Sequence, residues 1–150
     1  EGTVEAFSTD KYQYWPNAER YGFSMIRDFN RGTVGWTDWN LLLDQTGGPN
    51  HVSNFCFAPI HGDTSTGELI YTPTYYYIGH FSKFVGPDSV RISTSVSRNV
   101  VLATSFLNPD GTMATIVMNK SNDSINYSFF LNDRQVDLTI PPRAMQTLVY

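Results

Sequence analysis

The residues best suited to chemistry lie in one stretch, from Gly35 to Asn54. It holds two tryptophans, Trp36 and Trp39, several short polar side chains, and a Gly47-Gly48-Pro49-Asn50 turn. A buried strand that opens into a Gly/Pro loop of this composition is a common place for a ligand site. Indole faces beside amide and carboxylate groups are typical of a site that binds a sugar.

Each tryptophan also has a simpler interpretation as a core residue, because indole rings are highly buried on average. Trp39 is the stronger ligand candidate of the two. Thr33 to Trp36 form a β-branched and aromatic run that predicts a strand, and polar residues follow where the run ends. The sequence therefore predicts a strand that leads into the candidate site.

Four segments of the chain resemble a known family in their residues, their order and their spacing. They are Gly35-Trp-Thr-Asp-Trp-Asn-Leu41, Gly47-Gly-Pro-Asn50, Asn54-Phe55 and Tyr77-Ile-Gly-His-Phe-Ser-Lys-Phe-Val85. Together they resemble the C-terminal third of the glycoside hydrolase family 30 enzymes, the glucosylceramidase-like group. The resemblance implies the fold class α/β plus all-β, with the last units of a TIM (β/α)₈ barrel followed by an antiparallel β-sandwich.

The resemblance also implies a catalytic residue. Hydrolysis of a glycoside with retention requires two carboxyl groups about 5–5.5 Å apart, one of which attacks the anomeric carbon. By its place in the order of elements, Glu1 is implied to be this nucleophile, with Glu5 as the alternative. The Gly2-Thr3 pair departs from the family's pattern at this point, and no segment of the sequence corresponds to the family's acid/base glutamate.

The resemblance implies two substrate-binding residues, Trp39 and Asn54, and the stretch itself offers Trp36 and Asp38 as further candidates. Trp39 corresponds to the tryptophan that packs under the sugar, and Asn54 to an asparagine at the rim of the pocket. Asp38 is expected to accept a hydrogen bond within the site. We expect no cofactor and no metal.

Hydrophobic periodicity predicts the elements around this stretch. Ala18, Tyr21, Met25, Ile26 and Phe29 fall at helical spacing, with Pro16 in the first turn and Gly32 as the stop. The apolar run Phe55–Ile60 and the short run Leu69–Tyr71, separated by the polar residues 63–68, predict a small hairpin or excursion. A second helix is expected to open at Thr72-Pro73, carry an aromatic stripe and end at Gly86-Pro87.

After Pro87 the period changes from helical to two. Turn residues at Asn108-Pro-Asp-Gly111, Ser121-Asn-Asp123 and Asn132-Asp133 separate six short strands, which predicts an antiparallel sandwich or small barrel. We place a domain boundary there, with a barrel portion at 1–87 and a sandwich at 88–150. In the family, upstream strands complete this sandwich, and without them its edges would be open to pairing.

Composition excludes several classes of partner. A net charge of −4 with 16% charged residues and no Lys/Arg block argues against nucleic acid. No apolar run approaches the roughly 20 residues of a transmembrane helix.

His51, His61 and His80 lie on different predicted elements and lack a zinc-ligand spacing. The lone Cys56 forms no intrachain disulfide and is expected to be a buried apolar residue.

Two functions remain open at this point. The preferred one is the C-terminal part of a retaining β-glycosidase that acts on a β-glucoside or β-glucan, glucosylceramidase-like or β-1,6-glucanase-like. The alternative is a non-catalytic β-sandwich carbohydrate-binding module attached to a barrel remnant. In the first case a further upstream barrel segment of the same protein is expected, and a secreted, periplasmic or lysosomal location.

Overall fold

The structure, a computed structural model, describes residues 11–150. Glu1 and Glu5, the two candidate nucleophiles, lie outside the described residues. The chain divides into two compact units: one comprises the described residues up to Tyr21 together with Val34–Gly79, and the other comprises Gly22–Thr33 and His80–Tyr150.

The first helix, α1, spans Trp15–Asn30 and follows a short 3₁₀ turn at Lys11–Gln13. Its apolar face is buried as predicted, and Met25 and Ile26 are almost inaccessible. The helix ends in the expected way at Gly32, which adopts a φ of +99°. The Gly32 amide donates to the carbonyl of Phe29, and the Thr33 amide donates to that of Asp28, so the last carbonyls are satisfied by a Schellman cap.

The strand predicted at Thr33 to Trp36 is wrong. The first strand is β1, Leu42–Asp44, which pairs in parallel with β2, Ile60–Gly62. Val34 is fully exposed. β-propensity reflects side-chain packing on a pleated surface, and within the described residues a pairing partner is available only from Leu42 onward. The segment before β1 therefore stays outside the sheet.

The predicted hairpin is confirmed, because β2 pairs antiparallel with β3, Leu69–Tyr71. Its first strand covers Ile60–Gly62 rather than the run Phe55–Ile60. The second helix, α2, spans Pro73–Ser82. Its aromatic stripe is buried at Tyr77 and Phe81. The helix stops earlier than the predicted Gly86, since the Phe81 carbonyl accepts hydrogen bonds from the amides of both Phe84 and Val85 in a closing turn.

All six strands predicted after Pro87 are present. One antiparallel sheet has the order β4-β5-β6-β9, and a second consists of β7 and β8. Gly111 adopts a φ of +86° in the turn between β5 and β6, and Asn132 a φ of +51° in the turn between β7 and β8, as the turn signals predicted. The strands are β4 Val90–Ile92, β5 Val101–Leu107, β6 Met113–Asn119, β7 Ile125–Leu131, β8 Arg134–Ile140 and β9 Met145–Val149.

An apolar core is shared by the two sheets, which makes the arrangement a sandwich. Its buried members are Val101, Ala103, Val117, Ile125 and Ile140. Within residues 11–150, the β7–β8 sheet pairs with no further strand. Both of its edges therefore carry backbone groups that another strand can pair with.

Asn119, at the end of β6, holds the following turn in place. Its side chain is inaccessible to solvent. The amide nitrogen donates to the carbonyls of Asp123, over 2.7 Å, and Pro141, over 2.9 Å. The amide oxygen accepts from the backbone amide and the hydroxyl of Ser121. One side chain therefore supplies the polar partners of this turn, which would otherwise be costly to bury.

Cys56 is partly exposed rather than buried as expected. It lies in the loop between β1 and β2, where its thiol points to the carbonyl of Asn54 at 3.5 Å. The apolar neighbours Phe55 and Phe57 suggested a core position, yet Phe55 is 39% exposed and only Phe57 is buried. Three successive residues of an irregular loop need not share one environment.

Candidate functional site

The segment that carries Trp36 and Asp38 is tied to α1 through one residue, Tyr21. The Tyr21 phenol donates a hydrogen bond to Oδ1 of Asp38 over 3.2 Å. Its ring meets the Trp36 ring edge to face, with centroids 5.6 Å apart. Burial raises the pKa of Tyr21 well above its usual range, and the negative charge of Asp38 raises it further. The phenol is therefore a permanent donor, and Asp38 a charged acceptor within the site.

Trp39 stands apart from this cluster. Its side chain is 73% exposed, while Trp36 is only partly exposed. The next residue, Asn40, adopts a φ of +58°, a left-handed conformation that asparagine tolerates better than most residues. This turn of the backbone comes directly before β1. The exposed indole of Trp39 follows the segment that Tyr21 contacts, and its aromatic face is available to the C–H groups of a ligand.

The β1–β2 loop, residues 45–59, is organised at its start by Asp44. Oδ1 of Asp44 accepts from the Thr46 amide at 2.8 Å, the Thr46 hydroxyl at 2.6 Å and the Gly48 amide at 2.9 Å. The bond from the Thr46 hydroxyl, followed by that from the Gly48 amide, lowers the pKa of Asp44. A Cβ on Gly48 would lie 3.2 Å from Oδ2 of Asp44, so the absence of a side chain permits this close approach.

Asn54 lies further along the same loop with an exposed side chain. Its backbone amide donates to Oδ1 of Asn50 over 3.0 Å. The Cys56 amide donates to the Gly47 carbonyl at 2.9 Å, which closes the loop on itself. Asn54 therefore combines a fixed backbone with a side-chain amide that is free to offer a donor and an acceptor to a hydroxyl group.

The structure thus brings Trp36 and Asp38 together through Tyr21. Trp39 and Asn54 lie in the same compact unit, both with exposed side chains. The convergence of Glu1 with these residues remains a prediction, because Glu1 is not described. Sequence reasoning missed the role of Tyr21: the helical period assigned it to the buried face, and nothing in that period reveals where its hydroxyl points.

The part of the chain that the structure describes contains no set of side chains that could bind a metal ion. No three His, Cys, Asp or Glu side chains among residues 11–150 lie close enough together to hold an ion. His61 and His80, two of the three histidines, each form hydrogen bonds of their own within their units. None of the described helices is both long and apolar enough to cross a membrane.

A groove of about 1060 Å³ opens between the two sheets of the sandwich. None of the predicted site residues that the structure describes lines it. Its floor is apolar at Val101, Ala103, Val117 and Ile125, while its walls carry hydroxyl and amide groups, including the Tyr127 hydroxyl and the Asn126 amide. The core of the sandwich is therefore open on one side within the described residues.

Two family models together cover most of the chain. The glycosyl hydrolase family 30 TIM-barrel domain matches residues 1–85, and the glycosyl hydrolase family 30 beta sandwich domain matches residues 88–148. The relatives similar in sequence include two glucosylceramidases. Putative glucosylceramidase 3 of Caenorhabditis elegans is 37% identical over 91% of this chain and 27% of its own length. Lysosomal acid glucosylceramidase of Mus musculus is 38% identical over 74% of this chain and 22% of its own.

Solved structures agree with this assignment. SrfJ from Salmonella typhimurium has a TM-score of 0.91 at 33% identity, over 96% of this chain and 32% of that one. The endo-beta1,6-glucanase BT3312 has a TM-score of 0.75 at 28% identity, over 85% and 30%. The chain spans about a quarter of the length of the curated relatives it matches. It belongs to glycosyl hydrolase family 30, with the end of the TIM barrel followed by the family's β-sandwich.

Proposed function

We propose that this chain is the C-terminal part of a retaining β-glycosidase that hydrolyses β-glucosidic bonds. The observation that carries the proposal is the exposed indole of Trp39, which follows directly on the segment that Tyr21 holds through Asp38. Such a surface suits one face of a pyranose, whose C–H groups pack on an aromatic ring while its hydroxyls need polar partners nearby. Family membership supplies the reaction class.

The chemistry follows from two carboxyl groups. Glu1 is proposed as the nucleophile, whose ionised oxygen bonds to the anomeric carbon while the leaving oxygen takes a proton from a second carboxylic acid. Water then attacks the glycosyl ester, and the second carboxylate accepts the proton of that water. The second group has no counterpart in the 150 residues, so it is proposed to lie in an upstream barrel segment of the same protein.

Asn54 and Asp38 are proposed to serve binding rather than bond breaking. The exposed amide of Asn54 can donate to one hydroxyl and accept from another at the rim. Asp38 already accepts the Tyr21 phenol on Oδ1, which leaves its other oxygen available to a sugar hydroxyl. Trp36 is half-enclosed by Tyr21 and is proposed to form the side of the site.

Two substrate classes fit the proposal, glucosylceramide-like β-glucosides and β-1,6-linked glucans. The glucosylceramidase names of the sequence relatives support the first, and the endo-beta1,6-glucanase among the structural neighbours supports the second. The lysosomal relative supports a lysosomal or secreted location. We further propose a functional boundary near residue 87, with the barrel portion before it and the sandwich after it.

The groove in the sandwich supports the expectation of further upstream sequence. Its apolar floor and the two-stranded β7–β8 sheet leave room for additional strands. The same groove is the observation in favour of the alternative function, a carbohydrate-binding module, because a concave surface with hydroxyl and amide walls can also hold a saccharide.

The test is covalent labelling of the complete protein that carries this chain. A β-glucose-configured cyclitol epoxide esterifies a retaining nucleophile only in an assembled site. We expect a label on Glu1 by peptide mapping, and the Glu1→Gln variant should lose both the label and turnover while it remains folded. A label on Glu5 would move the nucleophile there. If the complete protein takes no label and hydrolyses no β-glucoside, yet binds glucan, the alternative function is correct.

A further inference from the structure

The β1–β2 loop leaves the sheet at Asp44 and returns to it just after Ala58, and the side chain of His61 joins these two points. His61 lies on β2 and is completely buried. Its Nδ1 is 2.8 Å from the carbonyl oxygen of Asp44, and its Nε2 is 3.2 Å from the backbone nitrogen of Ala58. One imidazole therefore spans the base of a loop of some fifteen residues, 45–59.

The partners fix the state of this ring. The backbone amide of Ala58 can only donate, so Nε2 must carry a lone pair. The carbonyl of Asp44 can only accept, so Nδ1 must carry the hydrogen. The imidazole is thus neutral and in its Nδ1–H form, held by the backbone at both ends of the loop. A second proton on Nε2 would set two N–H groups against each other.

Two aromatic rings pack around the His61 imidazole. The rings of Tyr12 and Phe57 approach the imidazole, each with its centroid 5.3 Å away. The Tyr12 phenol donates to the carbonyl of Gln45, the first residue of the loop, over 3.1 Å. His61 is therefore enclosed by residues that themselves contact the loop, and its two hydrogen bonds are shielded from competition with water.

The loop held in this way carries Asn54 and the Asn50 side chain that receives its amide. We propose that His61 is a positioning residue of the sugar site, which fixes the β1–β2 loop so that Asn54 meets the substrate with its side chain already in place. This inference rests on the proposed function. The residue touches no substrate, since it is inaccessible to solvent, and it acts through the Asp44 and Ala58 backbone.

The test compares two substitutions in the complete protein. His61→Leu keeps a similar shape but removes both hydrogen bonds, and it leaves the buried Ala58 amide without its acceptor. His61→Gln keeps one donor and one acceptor. We expect His61→Leu to raise KM about tenfold with kcat within about twofold, because the loop serves binding and a buried unsatisfied group is costly to keep. His61→Gln should restore most of the affinity.

His80→Leu is the matched control, since it removes another hydrogen-bonded histidine, in the other compact unit. It should lower the melting temperature without the change in KM. A His61→Leu variant whose KM equals that of the wild type, or a His61→Gln variant no better than leucine, would overturn the positioning role.

Hydrogen exchange distinguishes a failure of the His61 positioning role from a failure of the proposed function. In His61→Leu, peptides from the β1–β2 loop should exchange faster while those from β5 and β6 do not change. Faster loop exchange in a protein with no glycosidase activity would reject the proposed function while leaving the fixing of the loop by His61 intact. Unchanged loop exchange would overturn the role of His61 whatever the activity.

Discussion

Tyr21 and Asp38 are joined by a hydrogen bond of 3.2 Å from the phenol to Oδ1, which connects α1 to the segment between α1 and β1. Because that segment belongs to no sheet, it lacks the ladder of backbone bonds that fixes a strand. The side-chain bond and the packing of Tyr21 on Trp36 supply part of that restraint.

Replacement of Tyr21 by Phe should weaken substrate binding without unfolding the protein. The ring contact with Trp36 survives, but Asp38 loses its hydrogen-bond donor. A hydrogen bond to a charged group contributes about 1.5–3 kcal/mol. The contribution is smaller at this exposed position. We expect kcat/KM on a β-glucoside to fall about three- to tenfold. Tyr14→Phe, at an exposed tyrosine of the same unit, is the control and should leave kcat/KM unchanged.

Trp39 should contribute to binding through its ring rather than its polar atom. Trp39→Phe keeps an aromatic face, whereas Trp39→Ala removes it. Stacking on an aromatic ring is worth about 0.5–1.5 kcal/mol beyond burial, so Trp39→Ala should raise KM or the inhibition constant of a glucose-configured inhibitor about two- to tenfold, with Phe intermediate. The ligand-induced change in tryptophan fluorescence should also become smaller in both variants, with Trp36 as the remaining reporter. Equal affinity in wild type and Ala would place the sugar elsewhere.

Asp44 and Asp63 provide a matched pair that separates stability from site geometry. Asp63 makes the same kind of turn in the β2–β3 hairpin, where its Oδ1 accepts from the amide and hydroxyl of Ser65. Asp44→Ala and Asp63→Ala should lower the melting temperature by similar amounts, because each removes the cap of one turn. Only Asp44→Ala should also raise KM, since only its turn belongs to the loop that carries Asn54.

A stronger effect of Asp63→Ala on KM than of Asp44→Ala would contradict the assignment of the β1–β2 loop to the site. Equal effects of the two on KM would mean that affinity simply follows overall stability. The comparison therefore requires both variants to be assayed at a temperature well below either melting point.

Stability should depend on pH through His80. Burial lowers the pKa of this imidazole below its ordinary 6.5, and its Nδ1 lies 2.8 Å from the Thr147 hydroxyl. The unfolded chain therefore binds the proton more readily than the folded one. The contribution of neutral His80 is complete above 6.5 and is lost as the pH falls through the folded-state pKa.

The measurement is thermal unfolding of the complete protein at pH values from about 5 to about 8. The melting temperature should fall toward the acidic end, and His80→Gln should flatten that slope. The carboxyl groups of Asp63 and Asp110 have pKa values lowered below 3.8 by turn hydrogen bonds, so their effect comes at lower pH and does not overlap. A slope unchanged by His80→Gln would assign the acid sensitivity to another group.

Much of the fold could be predicted from the sequence because local signals and packing agree. The helical period of α1, the cap at Gly32 and the turn at Asn108 to Gly111 each require a specific residue type at a specific place, and the structure has them there. The six strands of the sandwich follow for the same reason. The strand expected at Thr33 fails because propensity alone does not supply a neighbouring strand.

The candidate site was less accessible to sequence reasoning. Trp39 and Asn54 could be proposed from their residue types and from the resemblance, whereas the parts of Tyr21 and His61 depend on where a hydroxyl and a ring nitrogen point. The spacing of His61 from the other histidines bears only on metal binding and does not indicate its hydrogen-bond partners. Its contacts with Asp44 and Ala58 depend on the parallel pairing of β1 and β2, which no periodicity in these three-residue strands reveals.

The inaccessible side-chain amide of Asn119 limits where the protein can carry N-linked glycans. The triplets that begin at Asn119, Asn122 and Asn126 all fit the acceptor pattern for N-linked glycans. Both hydrogens of the Asn119 amide are donated to backbone carbonyls, so a glycan on that nitrogen is incompatible with the folded turn. In a secretory host, oligosaccharides on the folded sandwich would thus be confined to the exposed Asn122 and Asn126.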